Sequence, residues 1–392
     1  MQNSFATTLR MLREEKKLTQ ADLAGGHLSR TIISLYESGR KTPSYEAIQH
    51  IAERLGVAVD VFFGGGNEAA HKAFITLMQQ AEKAEKRGDW TDAVEMLDSA
   101  AALCGTYHLN KWKFYVDYHR GLALTHVGQW ENAVEILLPL ITDPSFHDNL
   151  DVAYDILRSL GMSMRKMGQI QLSILFFRLM LHITGPSDHK WIRTQINLAT
   201  AYELLSQYEL AERHYQNAIE AAKQFGDGML EAWALIGWTT VQFHKNEIEG
   251  CEEALTRAEH LGEILENQEI IYAVRHNRLV MTRISRNWDE FEREYSELLN
   301  SVPHEEWKAQ LLEEKILYDT EQENWLEAEK DIEIALSVPV EGCIRAQLLI
   351  SAGKCYLKKQ EDMRAKTLFC QAIELMRMSS SRKIGELFEY LY

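Results

Sequence analysis

The sequence predicts an all-α protein in which a small five-helix domain precedes a right-handed α-solenoid of helix pairs. Its composition favours helices, since 46% of the 392 residues are hydrophobic and only 6 are proline. Near the N-terminus, Phe5, Leu9 and Leu12 form one stripe of an amphipathic helix. Further along, a short motif recurs at intervals of 37 to 40 residues, which is typical of a stacked repeat.

The N-terminal segment carries the start signals of three further helices. Thr19 is placed to cap a helix, with Asp22 three residues later. Ser29 is the expected cap of the next helix, Arg30 to Glu37, in which Ile33 and Tyr36 point inward. Pro43-Ser44 then begins a helix whose predicted inner face is Ile48, Ile51, Ala52 and Leu55. Two short helices joined by a tight turn form a helix-turn-helix pattern.

Over residues 1–63 this pattern resembles the lambda-repressor-like (XRE-type) family of DNA-binding domains. The resemblance is carried by Leu18-Thr19-Gln20, Leu23-Ala24, Ser29-Arg30 and the run from Glu37 to Pro43. His27 departs from the family, which often has glycine and a small residue in this turn. The segment holds eight Lys/Arg and seven Asp/Glu; because the chain carries −16, the rest carries −17. Only this segment tolerates a phosphate backbone at close range.

Docking geometry assigns roles to the polar residues of the domain. A recognition helix reads base edges with its first exposed side chains, while its cap and neighbouring residues hold phosphates. We therefore expect Arg30 and Thr31 to read bases, with Ser34 and Leu35 one turn later on the same face. The expected phosphate contacts are Gln20, Ser29, Arg40 and Lys41. The alternative is that these residues are only the solvent-exposed surface of a small helical domain.

Gly64-Gly65-Gly66 follows this domain and is interpreted as a hinge within a linker over residues 64–69. A phosphate-cradling loop is the alternative, but no Gly-Lys-Ser/Thr follows. The repeats begin after it. Their turns are marked by Gly88-Asp89-Trp90, Gly128-Gln129-Trp130, Gly168-Gln169-Ile170, Ser206-Gln207-Tyr208, Asn246-Glu247-Ile248, Arg286-Asn287-Trp288, Glu323-Asn324-Trp325 and Gln360-Glu361-Asp362.

Three places after the third residue of each turn lies a column of small residues with one exception, namely Ala93, Ala133, Ser173, Ala211, Cys251, Phe291, Ala328 and Ala365. Small residues in register let two helices approach closely, and the turn aromatics are expected to pack between helices. The motif resembles the tetratricopeptide repeat, best from Asn197 to Tyr202 and at Ala211-Glu212. We expect eight copies over residues 70–378 and a capping helix over 379–392, with Leu387, Phe388, Leu391 and Tyr392 as its apolar residues.

Two polar columns on the first helix of each repeat are expected to line a concave groove. One holds His119, Ser159, Asn197, Gly237, Asn277, Glu314 and Ser351, and the other holds Tyr115, Asp155, Arg193, Trp233, Ala273, Gln310 and Gln347. An asparagine amide both donates and accepts hydrogen bonds, so it suits an extended peptide backbone.

The whole layout resembles the Rgg/Rap/NprR/PlcR/PrgX group of peptide-responsive regulators. That resemblance implies a homodimer on double-stranded DNA, with a palindromic operator, and a short linear signalling peptide in the groove. It also implies that Asn197 and Asn277 clamp the peptide backbone, that Arg193 is a polar contact and that Trp233 is a side-chain wall. Gln310 belongs to the same column and completes the predicted peptide-binding set.

The alternative is a protein-interaction scaffold that binds a response regulator or an anti-repressor protein. An enzyme is not expected, since no paired carboxylates, nucleophile motif or cofactor signature emerges. A metal site is not expected either, because His304-Glu305-Glu306-Trp307 lacks a second histidine. Five scattered cysteines and the lack of a long apolar run favour a cytoplasmic protein without a membrane partner.

Overall fold

A computed structural model describes residues 4–185, 188–302, 304–340 and 342–377, and the predicted capping helix over 379–392 lies outside them. The fold class is confirmed, because the described residues are mostly helical and contain no β-strand, only an isolated bridge between Gly25 and Leu28. None of the described helices is long and apolar enough to span a bilayer. The chain forms two compact units, the first ending at Ser163 and the second beginning at Met164.

The first unit begins with the predicted helix-turn-helix domain. Its elements are α1 (Phe5–Glu15), α2 (Gln20–Ala24), α3 (Arg30–Glu37), α4 (Tyr45–Leu55) and a 3-10 turn (Val59–Phe62). The fifth helix is therefore this single 3-10 turn. Thr19 and Asp22 form a reciprocal capping box, and the Ser29 hydroxyl accepts a hydrogen bond from the Ile32 amide. The residues predicted to face inward on α3 and α4 are buried, which confirms their assignment.

The repeat helices follow in pairs. In chain order they are α5 (Glu68–Arg87), α6 (Trp90–Tyr107), α7 (Lys113–His126), α8 (Trp130–Leu137), α9 (Pro144–Asp148), α10 (Leu150–Lys166), α11 (Ile170–Ile183), α12 (His189–Leu204), α13 (Tyr208–Phe225), α14 (Gly228–Lys245), α15 (Cys251–Ile264), α16 (Gln268–Ile284), α17 (Trp288–Leu299), α18 (Glu305–Glu321), α19 (Trp325–Ser337), α20 (Gly342–Lys358) and α21 (Asp362–Arg377). Each predicted turn lies between two consecutive helices, and the short α9 interrupts the series before α10.

All eight turns have a left-handed residue at the first position of the motif. The φ angles are positive at Gly88, Gly128, Gly168, Ser206, Asn246, Arg286, Glu323 and Gln360. This conformation ends a helix by satisfying its last carbonyls, and glycine adopts it without the steric cost of a Cβ atom. The first three turns therefore have glycine at this position, whereas the later five have a residue whose Cβ atom makes the left-handed conformation less favourable.

The predicted small-residue column is buried at every position. Close packing is most severe beside the glycines of the first helices: a Cβ atom on Gly237 would lie 2.3 Å from Tyr215 Cζ, and one on Gly353 would lie 2.5 Å from Phe369 Cε1. The exception, Phe291, stacks on Tyr318 with ring centroids 4.3 Å apart. An aromatic layer thus replaces the small-residue contact in that repeat.

The tri-glycine segment is packed against the rest of the first unit, and its interpretation as a hinge stays a prediction. A Cβ atom on Gly65 would lie 2.7 Å from the His108 carbonyl oxygen, and one on Gly66 would lie 2.8 Å from Leu109 Cδ2. The Gly65 carbonyl oxygen is also 2.6 Å from His71 Nε2. Glycine is required here because the chain passes directly against the loop that joins α6 and α7.

Candidate nucleic-acid and ligand-binding sites

The N-terminal end of α3 presents the predicted base-reading residues. Arg30, Thr31 and Ser34 are exposed, while Leu35 is half-buried. The buried Ile33 and Tyr36 anchor the opposite face of the helix. Because the core fixes the rotation of α3, its outward side chains form a contiguous surface of the kind that enters a major groove.

A buried ionic network behind this surface was not predicted from the sequence. The Glu37 carboxylate, on the last residue of α3, accepts hydrogen bonds from Arg13 Nη2 at 3.1 Å and from Gln20 Nε2 at 2.9 Å. The hydrogen bond to Glu37 raises the pKa of Arg13 although burial opposes it. Gln20, predicted as a phosphate contact, thus also joins α2 to α3. No spacing rule pairs positions so far apart in sequence, which is why the sequence did not reveal the network.

The loop between α3 and α4 contains the other predicted phosphate contacts, Arg40 and Lys41, and is held by the repeats. Arg40 forms an ion pair with Asp151, and Asn149 Nδ2 donates to the Ser38 carbonyl oxygen. The Thr42 amide donates to Glu82 Oε1, and the Thr42 hydroxyl donates to the Tyr115 hydroxyl at 3.3 Å. Glu82 lies on α5 and Tyr115 on α7, while Asn149 directly precedes α10 and Asp151 lies in its first turn.

The polar columns of the second and third repeats therefore form contacts within the protein. Tyr115 touches the α3–α4 loop, and Tyr118 donates to Asp155 Oδ2 at 3.1 Å. His119 Nδ1 lies 3.0 Å from Glu85 Oε1. Burial lowers the pKa of His119 and the Glu85 carboxylate raises it, and the net result is a raised pKa. The sequence identified these columns as ligand-binding, but the structure fills this stretch with the chain's own groups.

The second unit contains an open groove along α12, α14, α16, α18 and α20. Its cavity volume is about 560 Å³, and three predicted peptide-binding residues line it: Trp233, Asn277 and Gln310. A second indole, that of Trp307, also lines the groove and was not predicted. Arg193 and Asn197, on α12, are exposed and half-buried respectively and do not line this groove. Their role stays a prediction.

Asn277 is bound within the protein rather than fully open to a ligand. Its side chain is buried, with 7% of the residue exposed, and its Nδ2 donates to the Ile236 carbonyl oxygen at 3.1 Å and to Thr239 Oγ1 at 2.8 Å. The amide nitrogen thus joins α16 to α14. In this conformation a peptide can use only the carbonyl oxygen of this amide.

Two electrostatic features distinguish the groove wall. His276 Nε2 is buried and has no hydrogen-bond partner among the described residues. Burial lowers the pKa of His276, although the Glu314 carboxylate opposes that effect. Glu203, Glu313 and Glu314 line the groove with Arg283 as the one lysine or arginine of the lining. Arg283 Nε lies 2.7 Å from Glu314 Oε2, which leaves an acidic excess.

Comparison with known proteins agrees with a DNA-binding domain followed by helical repeats. The helix-turn-helix family model matches residues 9–62, and the tetratricopeptide repeat model matches residues 196–228. The first match marks a DNA-binding domain, and neither model describes a catalytic family. A sequence search of curated proteins finds no significant match.

Solved structures share the fold at low sequence identity. The apo form of RapI is 11% identical, covers 95% of this chain and 97% of its own, and has a TM-score of 0.58. A Rap protein solved with Competence and Sporulation Factor is 10% identical, covers 82% and 99%, and has a TM-score of 0.54.

Aspartyl phosphate phosphatase F from Bacillus subtilis is 13% identical, covers 96% of both chains, and has a TM-score of 0.53. The predicted resemblance to the Rgg/Rap/NprR/PlcR/PrgX group is thus confirmed in domain content and fold: the chain joins a helix-turn-helix domain to tetratricopeptide-like repeats.

Proposed function

We propose that the chain is a sequence-specific DNA-binding transcriptional regulator whose repeat domain binds a short signalling peptide that modulates DNA binding, as in quorum sensing. The DNA-binding domain spans residues 1–63 and acts as a homodimer on a palindromic operator. Its base readers are Arg30, Thr31, Ser34 and Leu35, and its phosphate contacts are Gln20, Ser29, Arg40 and Lys41. Half-sites of such dimers lie roughly 34–36 Å apart or at a multiple of that distance.

The observation that carries the peptide proposal is the composition of the groove in the second unit. Trp233 and Trp307 supply flat apolar walls, while Gln310 and the Asn277 carbonyl oxygen supply hydrogen-bonding groups. The groove has a cavity volume of about 560 Å³, within the roughly 300–1,000 Å³ of ligand pockets, and its lining extends over α12, α14, α16, α18 and α20. An elongated ligand with a polar backbone and apolar side chains fits these properties, and a peptide is such a ligand.

The charge of the groove lining indicates which peptides the groove can bind. With three glutamates and one arginine in the lining, the groove carries a formal charge of −2 with its histidines neutral. An anionic peptide is disfavoured by like-charge repulsion, whereas a basic side chain or a free amino terminus is attracted. We therefore propose a peptide that combines at least one cationic group with large apolar side chains. The Rap protein bound to Competence and Sporulation Factor, which shares the fold, supports ligand binding by such repeats.

Affinity selection tests the peptide proposal. The full chain is incubated with a randomised library of short linear peptides, and bound peptides are identified by mass spectrometry. We expect enrichment of basic and aromatic residues by the wild type, and loss of that enrichment in a Trp233→Ala/Gln310→Ala variant. Glu220→Ala, at an exposed position on α13, is the control and should behave as wild type. No enrichment by the folded wild type, or equal enrichment by the groove variant, would overturn the proposal.

A thermal unfolding measurement then checks the affinity. An enriched peptide at 100 times its dissociation constant should stabilise the wild type by roughly 2.7 kcal/mol. The Trp233→Ala/Gln310→Ala variant should show no such increase at the same concentration. In parallel, selection of duplexes from a random DNA pool should return a palindromic sequence for the wild type.

A further inference from the structure

Four side chains of the first three repeats contact one short segment of the DNA-binding domain, Ser38 to Thr42. Asn149 donates to the carbonyl oxygen of Ser38, Asp151 pairs with Arg40, and Glu82 accepts the amide of Thr42. Tyr115 adds a hydroxyl contact to Thr42 and lies against Gly39, where a Cβ atom would be 3.7 Å from its ring. Since the partners come from three helices, this is a built contact surface and not a chance encounter of two side chains.

The segment from Ser38 to Thr42 contains two residues that are proposed to contact DNA phosphates, Arg40 and Lys41. A guanidinium recognises carboxylate and phosphate oxygens with the same forked donors. The Asp151 carboxylate therefore engages the same guanidinium donors of Arg40 that a DNA phosphate would use. The pair is open to solvent, with 49% of the Arg40 side chain and 36% of the Asp151 side chain exposed, so the two anions can exchange.

We propose that Asp151 is a built-in competitor of the DNA backbone, which holds Arg40 in the unbound protein and must release it for full DNA affinity. The inference rests on the proposed function, in that it requires the N-terminal domain to bind DNA. The binding surface on α5, α7 and α10 is then a restraint on the DNA-binding loop. Any change in the first repeats that moves Asp151 away from Arg40 increases DNA affinity.

The expected effect is modest, because a solvent-exposed ion pair contributes little. Removing the competitor should tighten DNA binding by about two- to fivefold at low salt. A second effect is more diagnostic. Each additional phosphate contact steepens the slope of log K against log salt by about 0.9. Release of Arg40 should therefore add about one phosphate contact and steepen this slope by about 0.9.

The test measures fluorescence anisotropy of a labelled mixed-sequence duplex with the full chain over a salt series. Such a duplex reports phosphate contacts without knowledge of the operator. Asp151→Asn should bind more tightly and with a steeper slope than wild type. Asp92→Asn, an exposed first-turn residue of α6, makes the same chemical change away from the loop and should keep the wild-type slope. Arg40→Gln should weaken binding, and Asp151→Asn added to Arg40→Gln should have no further effect on the slope.

Two outcomes separate the inference from the proposed function. If the wild type binds the duplex but Asp151→Asn binds more weakly, or with the slope of Asp92→Asn, the competitor role is wrong and the contact only orders the loop. If no folded variant binds duplex DNA, both the competitor role and the proposed function are wrong. A measurement without DNA adds an independent check: hydrogen exchange of the segment from Ser38 to Thr42 should be faster in Asp151→Asn, and unchanged exchange would also overturn the inference.

Discussion

The first repeats and the groove of the second unit use the same helix positions for different purposes. In the first repeats, Tyr115 and its neighbours His119 and Asp155 bind groups of the chain itself. In the second unit, Trp233 and Gln310 occupy equivalent positions and line an open groove. The repeat motif fixes how helices pack, because turns and small residues are shared by both regions. The residues in the two polar columns decide what each region binds.

The largest expected effect separates DNA reading from ligand binding. Arg30→Ala removes an exposed side chain at the first position of α3 and leaves the buried face intact. A lost bidentate base contact costs about 1–3 kcal/mol, so affinity for a selected operator should fall by roughly 5- to 150-fold. Peptide enrichment should be unchanged. Arg275→Ala, an exposed arginine of α16, is the charge-matched control. Equal operator affinity of both variants would contradict the assignment of α3.

A pair of identical substitutions compares packing in the two units. Gly237→Ala forces a methyl group against the buried Tyr215 ring and should destabilise the second unit by about 1–3 kcal/mol. Gly105→Ala, in the last turn of α6, meets no atom within 4 Å and should stabilise its helix by up to about 1 kcal/mol. Chemical unfolding of each variant gives both values. The same sign for the two changes would contradict the packing described for the repeats.

The turns provide a smaller contrast between early and late repeats. Arg286 occupies the left-handed position that glycine occupies in the first three turns, with φ at 57°. Arg286→Gly should therefore stabilise the protein by about 1 kcal/mol, because the conformation costs other residues about that amount. Gly128→Ala, at the equivalent position with φ at 80°, should have the opposite effect. Thermal unfolding measures both, and a loss of stability in Arg286→Gly would show that its side chain matters more than its backbone.

The smallest effect concerns a half-buried carboxyl in α19. Burial raises the pKa of Asp331 to about 6, with Lys315 opposing the shift. The folded state thus favours the protonated form, and its contribution to stability is lost as pH rises from about 4 through 6. Asp331→Asn should raise Tm at pH 7.5 by roughly 1–3 °C. The gain should shrink below pH 6, and a gain that is independent of pH would contradict the assignment.

Local rules predicted much of this fold. Caps, amphipathic stripes and the recurring turn located the helices, because each of these signals acts within a few residues. The sequence did not show that the tri-glycine packs against the distant His108–Leu109 loop, which leaves no room for a Cβ atom on Gly65 or Gly66. Likewise, periodicity placed Asn277 on the groove but could not reveal its hydrogen bonds to α14, nor the ion pair between Arg40 and Asp151. Contacts between helices far apart in sequence depend on packing, which no spacing rule records.

The central claim is that a peptide in the groove alters DNA binding, and one coupling measurement tests it directly. DNA affinity of the wild type is determined by anisotropy on the selected operator, with and without a saturating enriched peptide. We expect the peptide to change DNA affinity by about 5- to 150-fold, which corresponds to typical coupling free energies, and to cause no change in the Trp233→Ala/Gln310→Ala variant. Identical DNA affinity of the wild type with and without saturating peptide would contradict it.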